Sequence, residues 1–363
     1  MNRFVVQVAH PALVILTMLI GLSSSAGRSF AKPLTEAFVV PDIDWTSAAV
    51  GGIGVGNRDG GTVTIALSGV TGSVKQAILY WHGIDNFAPH PVGGRPGASA
   101  WTGGRSKVGA PRPEHAASCN GLYDVPTIFF NGSPVTGVPL GDTETNCWGD
   151  GTSGAFRADV TALVSGDGKY TLEGMVADEC DDVNGASLIV MFNDGNPVNN
   201  RDLVFCEGND ANVAFGFPGE TDGWHAILPA ITYTSGTAFI QLHVADGQDF
   251  SGNGLDDDAV TIAADGRSVV IPDLDGRYEG VSVPSSGSSR FEALNGRGSL
   301  WDVHTFDITS VFMLPGIYTL TLDGQEQLSD CTGLVVAIVD LRAGIAQVSI
   351  QGSKWGQVKT MYR

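Results

Sequence analysis

The sequence predicts an all-β protein made of two tandem antiparallel β-sandwich (jelly-roll-like) domains. Three observations predict it. Apolar residues alternate with Thr along 318–322, the period-two pattern of a half-buried strand, and few stretches carry a helical period. The 49 glycines of the 363-residue chain supply many turns. Above all, the chain repeats itself.

In that repeat, Ala77-Ile-Leu-Tyr-Trp-His82 answers to Ala238-Phe-Ile-Gln-Leu-His243, and Thr127-Ile-Phe-Phe-Asn-Gly132 to Thr261-Ile-Ala-Ala-Asp-Gly266. The second pair ends in Asn-Gly and Asp-Gly, which suit tight hairpins because these residues tolerate positive φ. Asp159-Val-Thr161 matches Asp307-Ile-Thr309, and a Tyr-Thr-Leu begins eleven residues later in both halves, at Tyr170 and Tyr318. An Asp kept in both copies just before a Thr reads as a cap accepting backbone N–H bonds, not as a catalytic acid. The apolar runs 187–192 and 333–338 align with each other and read as central strands covered on both faces. The first copy is expected over 38–219 and the second over 220–348, with a C-terminal tail at 349–363.

Residues 1–31 have the order of a secretory signal peptide: Arg3, then the apolar stretch 12–22, then small residues before a cleavage site after Ala26 or Ala31. The apolar part is interrupted by Pro11 and falls short of the ~20 residues of a spanning helix. A secreted, extracellular or periplasmic mature chain with no membrane span is therefore expected. A net charge of −19 argues against nucleic acid as partner, since that binding rests on Lys and Arg neutralising phosphates.

The copies differ in one connection. Between the His-ended strand and the hairpin the first copy carries a Gly/Pro-rich loop, 84–120, with Arg95, Arg105, Lys107 and Arg112. The second copy has the acidic loop 246–258 instead. In it Asp249, Ser251, Asn253 and Asp257 fall at positions 1, 3, 5 and 9, with Gly254 at 6 and the Leu255 carbonyl at 7, the alternation by which calcium loops converge oxygen ligands. Val260 stands where the closing carboxylate is expected. Possible calcium binding is thus an expectation from spacing. Trp101, in the basic loop beside Arg95 and Arg105, offers a flat aromatic face for stacking on a sugar ring. Trp148 has a rough counterpart in Trp301, which assigns it to packing, and His82 has one in His243, which makes it a structural histidine at a strand end.

Five cysteines in an exported chain imply disulfides with one thiol left over. The connectivity is open from sequence alone. The preferred pairs are Cys119 with Cys147 and Cys180 with Cys206, because each flanks a predicted strand or hairpin.

At the repeated motifs the chain resembles a family of uncharacterised secreted bacterial proteins that share a conserved domain of unknown function and are related to archaeal surface proteins. The residues that carry the resemblance are Ile78-Leu-Tyr-Trp-His-Gly83, Asn146-Cys-Trp-Gly149, Asn184-Gly-Ala-Ser-Leu-Ile-Val190, Asn199-Asn-Arg-Asp-Leu-Val204, Glu207-Gly-Asn-Asp210, Leu242-His-Val-Ala-Asp-Gly247 and Trp301-Asp302. The resemblance implies extracellular location and β architecture without an established activity. A weaker likeness is to sugar-binding jelly rolls, where an Asn-Gly hairpin precedes an Asp-Val-Thr turn.

No nucleophile elbow, zinc-binding helix or phosphate loop occurs. The function expected is therefore a secreted or cell-surface binding and structural protein, directed at a surface glycan or an extracellular protein. The alternative is an extracellular polysaccharide hydrolase with carboxylates from both copies.

Overall fold

The computed structural model describes residues 32–54, 62–85, 125–143, 153–175, 181–211, 224–245, 247, 260–271, 282–284, 300–324 and 332–343. They form seventeen strands and two single 3₁₀ turns, and every strand pairing is antiparallel. The all-β expectation holds.

The first-copy strands are β1 (Lys32–Gly54), β2 (Val63–Leu67), β3 (Ser73–Asp85), β4 (Thr127–Phe130), β5 (Ser133–Thr136), β6 (Val138–Thr143), β7 (Ser153–Asp159), β8 (Gly168–Glu173) and β9 (Asp181–Asn193). They are followed by β10 (Arg201–Ala211), β11 (His225–Tyr233), β12 (Ala238–Ala245), β13 (Val260–Ala264), β14 (Arg267–Ile271), β15 (Trp301–Asp307), β16 (Gly316–Gly324) and β17 (Gly333–Arg342). Nine strands make one ladder in the order β15-β12-β17-β10-β1-β9-β3-β7-β6. Two four-stranded sheets, β2-β8-β4-β5 and β11-β16-β13-β14, stand apart from it.

The long ladder doubles back at β1. Residues up to Ile43 pair with β10 and those from Asp44 onward pair with β9, with a register shift between Val40 and Ile43 and a left-handed Asp42 (φ 56°) at the change. Each arm of the ladder is an inner sheet with its own outer sheet. One core gathers Leu79, Trp81, Leu188 and Val190 of the first arm against Ile65, Ile128, Phe130 and Leu172 of β2, β4 and β8. A second gathers Leu242, Val244, Ala337 and Val339 against Leu228, Ile262, Leu320 and Leu322. The third lies between the arms: Ile78, Tyr80, Ile189 and Met191 meet Leu203, Phe205, Trp301 and Ile338. The result is four layers, outer, inner, inner, outer. Inner strands buried on both faces explain the continuously apolar runs.

The repeat reappears as register. Ile78 pairs with Asp159 as Phe239 pairs with Asp307, and His82 sits opposite Ala155 as His243 sits opposite Val303. Both Asn131-Gly132 and Asp265-Gly266 turn with positive φ at each residue, as the hairpin dipeptides require. Asp159 Oδ1 accepts from Thr161 N at 2.9 Å and Asp307 Oδ1 from Thr309 N at 2.8 Å, so both aspartates hold the turn entering a 3₁₀ segment. The two Thr hydroxyls in turn accept from Ala77 N and Ala238 N.

Three details differ from the sequence alignment. The equivalent of Leu188 is Val339 and not Leu334, because Leu79 faces Leu188 where Ile240 faces Val339. Trp301 corresponds to Ser153, since it pairs with Ala245 as Ser153 pairs with Ile84. And β10, on the first-copy side of the join expected near 217–222, hydrogen-bonds β17, while the first residues of β1 bond β10. The first half thus lends β10 and the opening residues of β1 to the second half's inner sheet.

Gly185 shows how close the inner sheets lie: a Cβ there would stand 2.7 Å from Trp301 Cβ and 2.8 Å from the Val50 carbonyl oxygen. Gly185→Ala should therefore cost roughly 1–3 kcal/mol, the usual penalty of overpacking. Because β1 belongs to both arms, the loss should show in denaturant as a shift of one cooperative transition. Two separate transitions, with only one moved, would contradict the shared ladder.

Candidate functional site

Between the inner sheets runs a seam of buried polar side chains. It holds several residues of the motifs that carry the family resemblance, among them Tyr80, His82, Ser187, Glu207, His243 and Trp301. His243, on β12, faces Ser187 of β9 across the interface: Ser187 Oγ lies 2.8 Å from His243 Nδ1 and accepts from Trp301 Nε1 at 2.8 Å. The other ring nitrogen, Nε2, is 2.9 Å from Gln241 Oε1, which also accepts from Ser47 Oγ at 2.9 Å. Gln241 then donates to Thr305 Oγ1 at 3.0 Å. This line is satisfied with a neutral His243 carrying its proton on Nε2, so that Ser187 can donate to Nδ1.

His82, the equivalent residue of the first copy, holds Asn184 Oδ1 at 2.7 Å through Nδ1. Asn209, of the facing sheet, donates to the carbonyls of Gly141 and Ser153 at 3.1 and 3.0 Å. Neither copy's histidine reaches solvent: they are 2% and 0% exposed. Burial pulls the His82 pKa down to about 4, opposed by the Asn184 and Asn209 side chains, and pulls that of His243 down to about 3. Both imidazoles are neutral inside the fold.

Two buried carboxylates complete the seam, each tied to an arginine. Glu207 pairs with Arg157 and accepts from Tyr80 Oη at 3.0 Å, while the Arg157 guanidinium lies 5.6 Å over the Phe38 ring. Asp340 pairs with Arg201 and receives Trp45 Nε1 at 3.3 Å. Burial raises both carboxyl pKa values, and the arginines oppose the rise. The neighbouring motif residue Asn199 bridges Asp44 and Asp194 at 2.9 and 3.2 Å. These groups serve the fold. His82, read from the sequence as a structural histidine, is buried at a seam position, and the sequence reading missed the Tyr80, Arg157 and Glu207 group, whose members come from three strands and carry no local spacing.

The seam ends where the two elaborated loops begin. β3 ends at Asp85 and β12 at Ala245. A Cβ built on Gly333, at the start of β17, would lie 3.4 Å from His82 Nε2 and 3.9 Å from Ala245 Cβ. The His82 ring of β3 and the last residue of β12 therefore lie close to one another across Gly333. Trp101, Arg95 and Arg105 lie outside the described residues, as do Asp249, Ser251, Asn253, Leu255 and Asp257 and the cysteines Cys119, Cys147 and Cys180. Cys206 is described: its side chain is fully buried in the core of the second sandwich, beside Leu34, Val204 and Trp224. Among the described residues no group of three or more His, Cys, Asp or Glu is arranged to hold a metal ion. Nor is any helix among them long and apolar enough to cross a membrane.

No family model matches the chain, and no curated protein matches it significantly. Among solved structures, the chain is similar to PBCV-1 VP54, from a crystal structure fitted into a cryo-EM reconstruction of the virophage Sputnik. That similarity covers 88% of this chain and 98% of that one, at 8% identity and a TM-score of 0.20.

The buried histidines make stability fall with acid. Their folded pKa values lie below the ordinary 6.5, so the unfolded chain takes up protons first, and stability present above that pH is lost as pH drops through it toward 4 and 3. At about pH 5 each histidine should cost about 2 kcal/mol. Glu207 and Asp340, with raised values, act in the opposite sense and soften the loss. Urea midpoints between neutral pH and pH 5 should fall less steeply in a His82→Gln, His243→Gln double variant than in the parent. Equal slopes would remove the histidines from the explanation.

Proposed function

We propose that this chain is a secreted or cell-surface, non-catalytic binding and structural protein. Its four-layer block presents the loops 84–120 and 246–258 together to a surface glycan or another extracellular protein, and calcium steadies the acidic loop. The observation that carries this reading is at Gly333, the register partner of Ala245 at the end of β12, which lies against the ring of His82, three residues before the end of β3. Loops on a rigid scaffold are where binding residues usually sit, and here the scaffold joins the two that differ most between the copies.

The buried chemistry supports the same reading. The seam's histidines are neutral and enclosed, and its carboxylates are each held by an arginine, so these groups are committed to holding the sheets together. Trp101 with Arg95 and Arg105 would supply a stacking face and hydrogen-bond donors for a glycan. Asp249, Ser251, Asn253 and Asp257, with the Leu255 carbonyl, would supply oxygen ligands for calcium.

A glycan array run with and without calcium tests the proposal. A glycan should be retained in calcium, and Trp101→Ala should weaken its binding by about tenfold or more, the scale on which a buried aromatic anchor acts. The melting temperature should rise in calcium and return with chelator, and Asp257→Asn should flatten that response. Absence of any bound glycan or extracellular protein would defeat the binding half, and a melting temperature indifferent to calcium and chelator would defeat the calcium half.

A further inference from the structure

The turn 313–317, which leads from the second 3₁₀ segment into β16, carries three large apolar side chains in the open. Met313 is 60% exposed, Leu314 67% and Ile317 69%. The fold does not require them. The first copy makes the same turn with Ser165, Gly166 and Lys169 at the equivalent positions, and Tyr170 Oη donates to Gly166 O at 2.6 Å as Tyr318 Oη donates to Leu314 O at 2.6 Å. One backbone therefore serves a polar tip in one copy and an apolar tip in the other. Isolated exposed apolar residues are ordinary, but three grouped on one turn mark a contact surface.

We propose that this turn is a membrane-docking tip, whose Met313, Leu314 and Ile317 side chains enter the headgroup and acyl boundary of a lipid bilayer. The tip is small. Three side chains fall well below the ~800 Å² per partner of a standard protein interface, so they would not hold a second copy or another protein by themselves. A bilayer surface needs no complementary pocket and takes apolar groups to a depth of about 5–10 Å.

The turn is also held in shape before it docks. Leu314 N and O both bond the Tyr318 hydroxyl, at 3.2 and 2.6 Å, and Phe312 stacks on Tyr233 with ring centroids 4.5 Å apart. Little conformational freedom remains to be lost on docking.

Cationic side chains stand at this end of the sandwich, among the exposed carboxylates Asp265 and Asp307. In a chain of net charge −19, the exposed Arg267 reaches the carbonyl of Ser310 at 3.4 Å, just before the tip. Exposed Arg342 lies against Gly236, whose carbonyl holds the Tyr233 hydroxyl at 2.7 Å. An arginine at this end can keep its charge at headgroup level while the apolar side chains insert. The tip lies at the Ala238 end of β12, fixed there by Ile308 N bonding Ala238 O at 2.9 Å, and the elaborated loops leave from the opposite, Ala245 end. Docking at this end would leave the Ala245 end of β12 on the side away from the bilayer. The inference is independent of what the loops bind.

The test is co-sedimentation of the chain lacking residues 1–31 with vesicles of phosphatidylcholine containing a minor fraction of phosphatidylglycerol. The parent should sediment with them. The variant Met313→Ser, Leu314→Ser, Ile317→Lys, which borrows the first copy's chemistry, should partition about tenfold less or weaker, as lost apolar insertion implies. Ile317→Lys alone should give a smaller loss in the same direction, and both variants should melt like the parent. Failure of the parent to sediment, or equal sedimentation of parent and triple variant, overturns the proposal.

Discussion

The whole structure depends on one requirement: two sheets must each bury both of their faces. An inner sheet that is apolar on both sides needs an outer sheet on one face and its twin on the other, which is what the three separate cores describe. Polar atoms caught between the twins cannot reach water, so each is costly unless it finds a partner there. The seam answers with partners drawn from the facing sheet: Ser187 for His243 and Trp301, Glu207 for Arg157 and Tyr80, Asp340 for Trp45. The pairing turns a packing problem into a specific register between the sheets.

Much of the scaffold was legible in the sequence, because short-range chemistry repeats at short range. The Asn-Gly and Asp-Gly hairpins, the Asp-x-Thr turns and the tyrosines after them are local devices, and each sits where its pattern predicts. Longer-range features were not legible. The alignment of Leu188 with Leu334 failed because a continuously apolar run has no internal mark to set its register, and the structure sets it by what lies opposite on β3 and β12. The first copy was expected to begin at 38, whereas β1 runs from Lys32 to Gly54, with Pro41 beside the bend where the strand changes partners. Of the candidate site, the two loops and their divergence were legible, whereas the approach of His82 to Gly333 and Ala245 was not, since it depends on how the arms fold onto each other.

Duplication explains why so many motif residues are structural. Once a frame is built twice, a residue kept in both copies is most simply a residue the frame needs, as Asp159 with Asp307 and Tyr170 with Tyr318 show. What one copy changes without disturbing the frame is then open to other use. The molecule has such changes at both ends: contrasting loops after β3 and β12, and contrasting turns before β8 and β16.

β1 also sets the order in which the chain can be completed. Its first residues pair with the far end of β10, Lys32 with Asn209, and its later ones with β9, Gly51 with Gly185. Among the described strands, β1 therefore finds its ladder partners only in residues from Val183 onward, past the midpoint of the sequence. Loop closure of that length is slow, and the edges of β9 and β10 stay open until β1 arrives between them. The strand that joins the two sandwiches is consequently a late keystone, and a chain cut short of β10 would leave its N-terminal strand half unpaired.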